Sequence, residues 1–338
     1  MKGGIPYTRA APSQAMKRFI GSLLVAVAAL AAASLAGAQS YPSRAVRIVV
    51  AYPPGGGIDV MARQLADRFA PQWGQPVVVE NRPGGSTIPA TELVAKAPAD
   101  GHTILLTTDA TFSINPHLFA RLPYSDRDFV AVTQLILLQQ MLVVHPSLPA
   151  GSLAELVALA KAKPGTLNYA SYGSGSQPHL AAEMLKAKAG IDIVHIPYKG
   201  ISLAVPAVMG HEVEMTFSGI ATGRPQLQAG RLKALAIGGP KRSPLVPDVP
   251  TFTELGYPEV ETHAWFGLFV PAGTPREAVN RIHRDVAAIL NDPGFREKEI
   301  VQKGYDLVAS SPEEFAAYLV RDRDARGRAV KISGAKAE

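Results

Sequence analysis

The sequence predicts an α/β protein whose strand–helix units fall into two groups. From Ala45 onward, short runs of β-branched residues alternate with helical patterns of apolar residues, which is typical of repeated βα units and mainly parallel sheets. Glycine-rich turns separate a strand from a helix in both halves of the chain. Two similar passages from strand to helix, at residues 142–146 and 268–275, suit two strands that cross between lobes.

The first 38 residues are predicted to be a secretory signal peptide that is removed. A short basic region begins at Met16, where translation is expected to start, and residues 19–35 are almost wholly apolar. Residues 36–38 have the small-residue form of a signal peptidase site. A membrane anchor is the alternative, but the apolar run is at the short limit for a span and ends in a cleavage pattern.

Removing this segment changes the charge of the chain. The 338 residues carry +6 at pH 7, and residues 1–38 hold Lys2, Arg9, Lys17 and Arg18 without an acid, which leaves +2 for residues 39–338. A near-neutral chain without a basic cluster lacks the electrostatic footprint of a nucleic-acid-binding protein, so that class is excluded. The absence of cysteine excludes disulfides, thiolate metal sites and cysteine nucleophiles.

The first group of units begins with a strand at residues 45–51. A glycine-rich turn stops this strand, and a helix follows in which apolar residues recur at helical spacing, namely Ile58, Met61, Ala62, Leu65 and Phe69. Further strands are predicted at residues 77–79 and 103–106, with a helix at residues 89–96 between them.

The second group repeats the alternation. Its predicted order is helix 153–163, strand 167–172, helix 178–188, strand 193–196, helix 202–209 and strands 213–217 and 232–237. Several helix starts fit capping boxes: Ser152 with Glu155, Thr274 with Glu277, and Ser311 with Glu314. Pro275 and Pro312 stand at predicted first helical positions.

The two similar passages bear on the domain layout. If both are strands that cross between lobes, residues 39–138 and 264–338 form one lobe, and residues 139–263 form a second lobe inserted into it. The alternative is that two βα units merely look alike, and the similarity of the two passages does not by itself decide between these interpretations.

A glycine-rich turn at residues 53–59 lies between the first strand and its helix. Such a turn exposes backbone N–H groups beside the positive end of the helix dipole, which suits a carboxylate or a phosphate. Neither a Walker loop nor a G-x-G-x-x-G spacing is present, which disfavours nucleotide binding. A turn that is merely tight is the alternative.

Residues 171–179 repeat this arrangement in the second half of the chain. Ser176 can cap the helix that follows, and Ser174 with nearby backbone amides can donate to an anion. Two such helix starts, one in each predicted lobe, would face a cleft. A third turn, residues 81–87, is equally well explained as a plain loop.

Catalytic and metal sites are disfavoured by spacing. No G-x-S-x-G elbow occurs, so a serine hydrolase of that type is not expected. The eight histidines show no H-E-x-x-H or paired-ligand pattern, and we expect neither a metal nor a cofactor. Trp265 and Phe266 are assigned to the core near the return passage.

Taken together, these motifs resemble the Bug family of extracytoplasmic solute receptors, the binding-protein component of tripartite tricarboxylate transporters. The resemblance runs along nearly the whole mature chain. Its landmarks occur in order as YPPGGGID at 52–59, ENRPG at 80–84, ADGHT at 99–103, NPHLF at 115–119, SYGSGS at 171–176, HLA at 179–181, PYKG at 197–200, PDVPT at 247–251 and WFGLFVPAGTP at 265–275. Each is weak alone, and together they are specific.

The resemblance implies a type II periplasmic binding protein fold, or Venus flytrap, with a carboxylated ligand closed between its lobes. In such receptors the turns matching residues 53–59 and 173–176 hold carboxylates, and those matching residues 107–111 and 198–200 border the cleft. The candidate ligand-binding residues are therefore Tyr52, Pro54, Gly55, Gly56, Asp59, Thr107, Thr108, Thr111, Ser171, Gly173, Ser174, Gly175, Ser176, His179, Tyr198, Lys199 and Gly200.

The function implied is that of a monomeric periplasmic solute-binding protein of a Gram-negative cell. It would capture a mono-, di- or tricarboxylate and deliver it to the permease subunits of a tripartite transporter in the inner membrane. One alternative is a periplasmic sensor that passes the ligand signal to a signalling protein. Another is a hydrolase on the same scaffold, whose turnover would depend on Ser174 or His179.

Three departures from the resemblance are expected to matter locally. Residues 86–89 replace the further glycines of the relatives, which would reshape that turn, and residues 201–203 replace a small Gly/Pro run, which would make the cleft wall more apolar. Near the C-terminus, Arg326 replaces a common tryptophan, a change assigned to surface packing.

Overall fold

The structure is a computed structural model that describes residues 41–239, 241–260 and 262–336. The predicted signal peptide, including Met16, lies outside these residues. Within the described ranges no helix combines the length and the apolar character that crossing a membrane requires. Every described helix and strand belongs to the unit Arg44–Glu338.

The first strand group has a parallel centre and antiparallel neighbours. Strand β1 (Val46–Val50) lies between β2 (Val77–Asn81) and β3 (Thr103–Thr108), and all three run parallel. Strand β4 (Phe129–Val144) and β9 (His263–Pro271) run antiparallel to each other; β9 also pairs with β3, and β10 (Tyr305–Leu307) pairs with β4. The predicted first strands are present.

The second strand group extends from the far end of β4. It contains β5 (Asn168–Ser171), β6 (Val194–Pro197), β7 (Met215–Gly219) and β8 (Lys233–Ile237). Strands β6, β5 and β7 run parallel, while β7 and β8 pair antiparallel with β4. Within β4, Gln139 pairs with His263 of β9, whereas Gln140 pairs with Gly219 of β7. A single strand thus joins both groups.

Eight helices of eight or more residues are described. They are α1 (Gly57–Trp73), α2 (Ile88–Ala95), α3 (Leu153–Ala162), α4 (Gln177–Ala189), α5 (Ile201–Met209), α6 (Ile220–Gln228), α7 (Arg276–Asn291) and α8 (Pro312–Ser333). One-turn helices cover Asn115–Leu118 and Pro293–Phe295. The predicted helices of both groups are present, with ends that differ by a few residues.

The predicted caps hold at two of four helices, and the cap predicted at Ser176 is wrong because its hydroxyl makes no capping hydrogen bond to α4. Ser311 forms a complete capping box with Glu314, and Ser152 accepts a hydrogen bond from the backbone of α3. The box predicted at Thr274 is wrong, because Pro275 is the N-cap of α7 instead of its first residue. The hydroxyl of Thr274 donates to the Pro271 carbonyl at 2.7 Å and closes the preceding turn.

The apolar face predicted for α1 is buried. All five of its periodic residues, Ile58, Met61, Ala62, Leu65 and Phe69, are at most 5% exposed. Helix α8 serves both strand groups. Near its start, Phe315 packs against Trp265 of β9, and near its end Val330 lies in a cluster with Leu180 of α4. Burial of this kind stabilises the placement of each helix by removing apolar area from water.

Candidate ligand-binding cleft

A small cavity of about 60 Å³ lies where the two strand groups meet. Its floor includes Leu138 and Gln140 of β4 and Ala264 and Phe266 of β9. These positions flank the point at which β4 changes its pairing partner. Phe266 was assigned to the core, and it is both buried and part of the cavity wall.

Four helices begin at this cavity. Their lining residues are Gly56, Gly57 and Ile58 at α1, Gln177 at α4, Ile201 and Ser202 at α5, and Gly219, Ala221 and Thr222 at α6. Among the described residues no side chain caps any of these four starts, whereas Ser152 and Ser311 cap α3 and α8, whose starts are not among the cavity-lining residues. The first turns therefore keep backbone N–H donors and a positive dipole end for an anion.

Three tyrosines add polar groups to the cavity lining. The Tyr52 hydroxyl lies 2.8 Å from the Thr108 hydroxyl, and Tyr172 donates to the Gln140 side-chain oxygen at 2.8 Å. The two tyrosine rings meet edge to face at 6.4 Å. Burial raises the pKa of Tyr52, Tyr172 and Tyr305 above the ordinary value, so all three remain protonated.

The rims of the cleft touch each other. A Cβ atom built on Gly200 would lie 2.6 Å from Cδ of Pro53, and one built on Gly56 would lie 3.1 Å from Ile201. At a second rim contact, the Ser86 hydroxyl donates to the Ser174 carbonyl. The turns at residues 53–57 and 198–202 thus come together over the cavity.

Asp109, which follows β3, is the one formally charged side chain among the described lining residues. It is 1% exposed, and its Oδ2 accepts no hydrogen bond from the described residues. Behind it, Nη2 of Arg326 lies 3.7 Å from Oδ2, and Nε of Arg326 lies 3.5 Å from Oδ1 of Asp322. Burial raises the pKa of Asp109 to about 7, although Arg326 opposes the shift.

The position of Arg326 corrects the assignment to surface packing. The side chain is 1% exposed and donates to the carbonyl of His263 at 2.8 Å. Asp322 and Arg326 are four residues apart and therefore share one face of α8. That face is turned inward, since Asp322 also accepts a hydrogen bond from the Trp265 indole at 2.8 Å.

The raised pKa of Asp109 makes stability depend on pH. A carboxyl whose pKa is about 7 when folded and 3.8 ordinarily stabilises the fold in its neutral form. This contribution is fully present below about pH 3.8 and is lost as the pH rises through about 7. In urea titrations we expect the free energy of unfolding of the wild-type protein, relative to that of Asp109→Asn, to decrease as the pH rises over this range. A constant difference between the two proteins would contradict the assignment.

Three of the seventeen predicted ligand residues line the cavity: Tyr52, Gly56 and Thr108. Other members of the same turns lie beside it. Pro54 and Gly55 are exposed, and the Gly55 N–H donates to Asp59, which also accepts hydrogen bonds from Arg63 and Asn81. Thr107 and Thr111 are fully buried and hydrogen-bonded to each other. These hydrogen bonds stabilise the turns, and the residues that form them do not line the cavity.

The predicted second turn is likewise braced from within. The Ser171 hydroxyl forms a hydrogen bond with Nε2 of His195 at 2.6 Å and accepts one from the Gly173 N–H at 3.0 Å. The Gly175 N–H donates to Nδ1 of His179 at 3.2 Å. Among the described atoms, the buried Ser176 hydroxyl has no hydrogen-bond partner. The remaining predicted residues, Ser174, Tyr198, Lys199 and Gly200, lie at or next to the touching rims.

Two of the three departures from the family pattern have the local effects that the sequence predicted. Ser86 and Thr87 occupy left-handed backbone conformations, with φ of 53° and 71°, where glycine is normally favoured. Thr87 is held by a hydroxyl contact of 2.8 Å with Thr111. Ile201 lines the cavity and makes that wall apolar.

Several cavity residues were missed at the sequence level. They include the start of α6, Gln140 and Tyr305. Gly219, between strand β7 and helix α6, is a strand-to-helix glycine of the kind used to select the other turns, so the signal for α6 was present. Tyr305 is far from any motif, and no pattern around it indicates the site.

Comparisons with known proteins agree with this geometry. A sequence profile described as the tripartite tricarboxylate transporter family receptor matches residues 61–334. BugT of Bordetella pertussis (strain Tohama I) is 34% identical over 323 residues, covering 95% of this chain and 99% of BugT.

Two solved structures share the fold. R. palustris Rpa4515 with adipate superposes with a TM-score of 0.85 at 31% identity, covering 88% of this chain and 100% of that chain. MatC (Rpa3494) from Rhodopseudomonas palustris with bound malate gives a TM-score of 0.82 at 29% identity, covering 86% of this chain and 100% of that chain.

Proposed function

This chain belongs to the tripartite tricarboxylate transporter receptor family, the Bug-type periplasmic solute-binding proteins, and we propose that it captures one small carboxylate between its lobes. The family, the two-lobe α/β fold and the role of a receptor, as opposed to an enzyme, are confirmed by the comparisons. The ligand and the partners of this chain are the subject of the proposal.

The observation that carries the proposal is the set of four uncapped helix starts around a cavity with no cationic lining residue among those described. Backbone N–H donors placed among mostly buried lining residues bind a carboxylate without a counter-charged side chain. The adipate and malate of the two related structures support this ligand class. Tyr52, Gly56 and Thr108 contact the ligand, and the neighbouring predicted residues hold the turns in place.

Ligand capture closes the lobes on each other. Residues 39–138 and 264–338 form one lobe and residues 139–263 the other, a division supported by the change of partner within β4. A ligand that touches helix starts from both strand groups stabilises the closed arrangement. The contact between Pro53 and Gly200 belongs to that arrangement.

The closed receptor then delivers its ligand to the permease subunits of a tripartite transporter. The signal peptide, residues 1–38, directs the chain to the periplasm of a Gram-negative cell, where it acts as a monomer. The match to the transporter receptor profile supports this partnership.

Isothermal titration of ligand-stripped protein tests the proposal. The panel contains mono-, di- and tricarboxylates, and the corresponding neutral amides serve as matched controls. We expect at least one acid to bind with a Kd at or below about 10 µM, a value corresponding to about −7 kcal/mol, and its amide not to bind. Absence of binding across the acids would overturn carboxylate capture.

A further inference from the structure

The charges around the cavity are unequally distributed. The helix starts offer donors to an anion, but Asp109 is an acceptor, and it is the only formally charged side chain that the described lining contains. An anionic ligand that fills the cavity must therefore also satisfy a carboxyl group. The apolar middle of such a ligand would pack against Leu138, Ile201 and Phe266.

Arg326 does not remove this requirement. Its Nη2 is 3.7 Å from Oδ2 of Asp109, beyond hydrogen-bond length, and the same nitrogen donates to the His263 carbonyl at 2.8 Å. Arg326 also stands between two acids, Asp109 and Asp322. One cation between two carboxyls leaves the cluster short of positive charge, so Oδ2 of Asp109 still lacks a donor.

We propose that Asp109 is a specificity-determining residue that selects ligands carrying a carboxylate together with a hydrogen-bond donor, either a hydroxyl or an ammonium group. This inference rests on the proposed capture of a carboxylate. The donor of the ligand supplies the hydrogen bond that Oδ2 lacks. A second carboxylate at the same place brings two acceptors together in a site of low dielectric, which opposes binding.

The test compares ligands of matched length. Succinate, glutarate and adipate are each titrated beside the monocarboxylates of the same carbon count that carry a terminal hydroxyl or amine, at about pH 8, above the pKa of about 7 of Asp109. For the best chain length we expect the hydroxy or amino acid to bind at least about tenfold more tightly than the diacid, as hydrogen bonds to a charged group allow.

Two variants separate Asp109 from its surroundings. Asp109→Asn keeps the shape of the side chain and adds a donor, so the preference for donor-bearing ligands should fall by at least about tenfold. Asp324→Asn removes an exposed acid of the same helix without altering a cavity residue, and the preference should stay within about twofold. Thermal unfolding of each variant verifies that it is folded.

The outcomes distinguish this inference from the proposed function. If diacids bind wild type as well as or better than the donor-bearing acids, carboxylate capture stands and the role of Asp109 is refuted. An unchanged preference in folded Asp109→Asn refutes it as well. If no acid in either panel binds, carboxylate capture itself fails. The wild-type preference decides the question even if Asp109→Asn does not fold.

Discussion

Replacing Gly200 with alanine is expected to weaken ligand binding by about ten- to one hundredfold, with little loss of folding stability. The new methyl group would lie 2.6 Å from both Cδ and Cγ of Pro53, atoms of a rigid ring that cannot swing aside. Gly200 has an extended backbone, with φ of 168°, so alanine meets no backbone strain there. The cost therefore arises only when the two rims meet over the cavity.

Titration of the best wild-type ligand into Gly200→Ala measures this effect. Gly210→Ala is the matched control, because Gly210 ends the same helix that Gly200 begins, and its Cβ would lie 3.4 Å from the Pro206 carbonyl oxygen. We expect Gly210→Ala to bind within about twofold of wild type. Equal affinity of Gly200→Ala and wild type would show that the rim contact is unnecessary for capture.

The elements that could be predicted from the sequence are those in which local pattern and burial agree. The helix beginning at Gly57 carries its apolar residues on one face, and that face is buried. The turn at residues 53–57 was selected because glycines between a strand and a helix leave backbone amides free, and its Gly56 lines the cavity. Such signals lie within one short segment, so they are visible without tertiary structure.

The rest depends on contacts between distant segments. Arg326 stands in a mostly charged segment, residues 321–326, that looks solvent-exposed, and its burial follows only from the positions of Asp109 and His263. The length of β4 was missed because most of its residues are apolar on both faces, a pattern that does not separate a buried strand from a buried helix. Sequence reasoning placed the ligand at the turns, whereas much of the cavity floor belongs to β4 and β9.

Replacing Arg326 with methionine is expected to lower the free energy of unfolding by about 3–5 kcal/mol at about pH 8. The change removes the cation beside Asp109 and Asp322 and leaves the His263 carbonyl without this donor, all within a site that is almost fully buried. Methionine keeps much of the side-chain volume, so loss of packing contributes less than loss of charge.

The dependence on pH and on Asp109 distinguishes lost charge from lost packing. At about pH 5 the penalty should shrink, because Asp109, whose pKa is about 7 with Arg326 present and higher without it, is neutral there and needs no cation beside it. Combining Arg326→Met with Asp109→Asn should recover part of the loss, which a double-mutant cycle in urea measures. Arg321→Met, on the exposed side of the same helix, should change stability by no more than about 0.5 kcal/mol. If the loss in free energy of unfolding were independent of pH and simply added to that of Asp109→Asn, Arg326 would stabilise the fold through packing. The charge of Arg326 would then play no part in the environment of the Asp109 carboxyl.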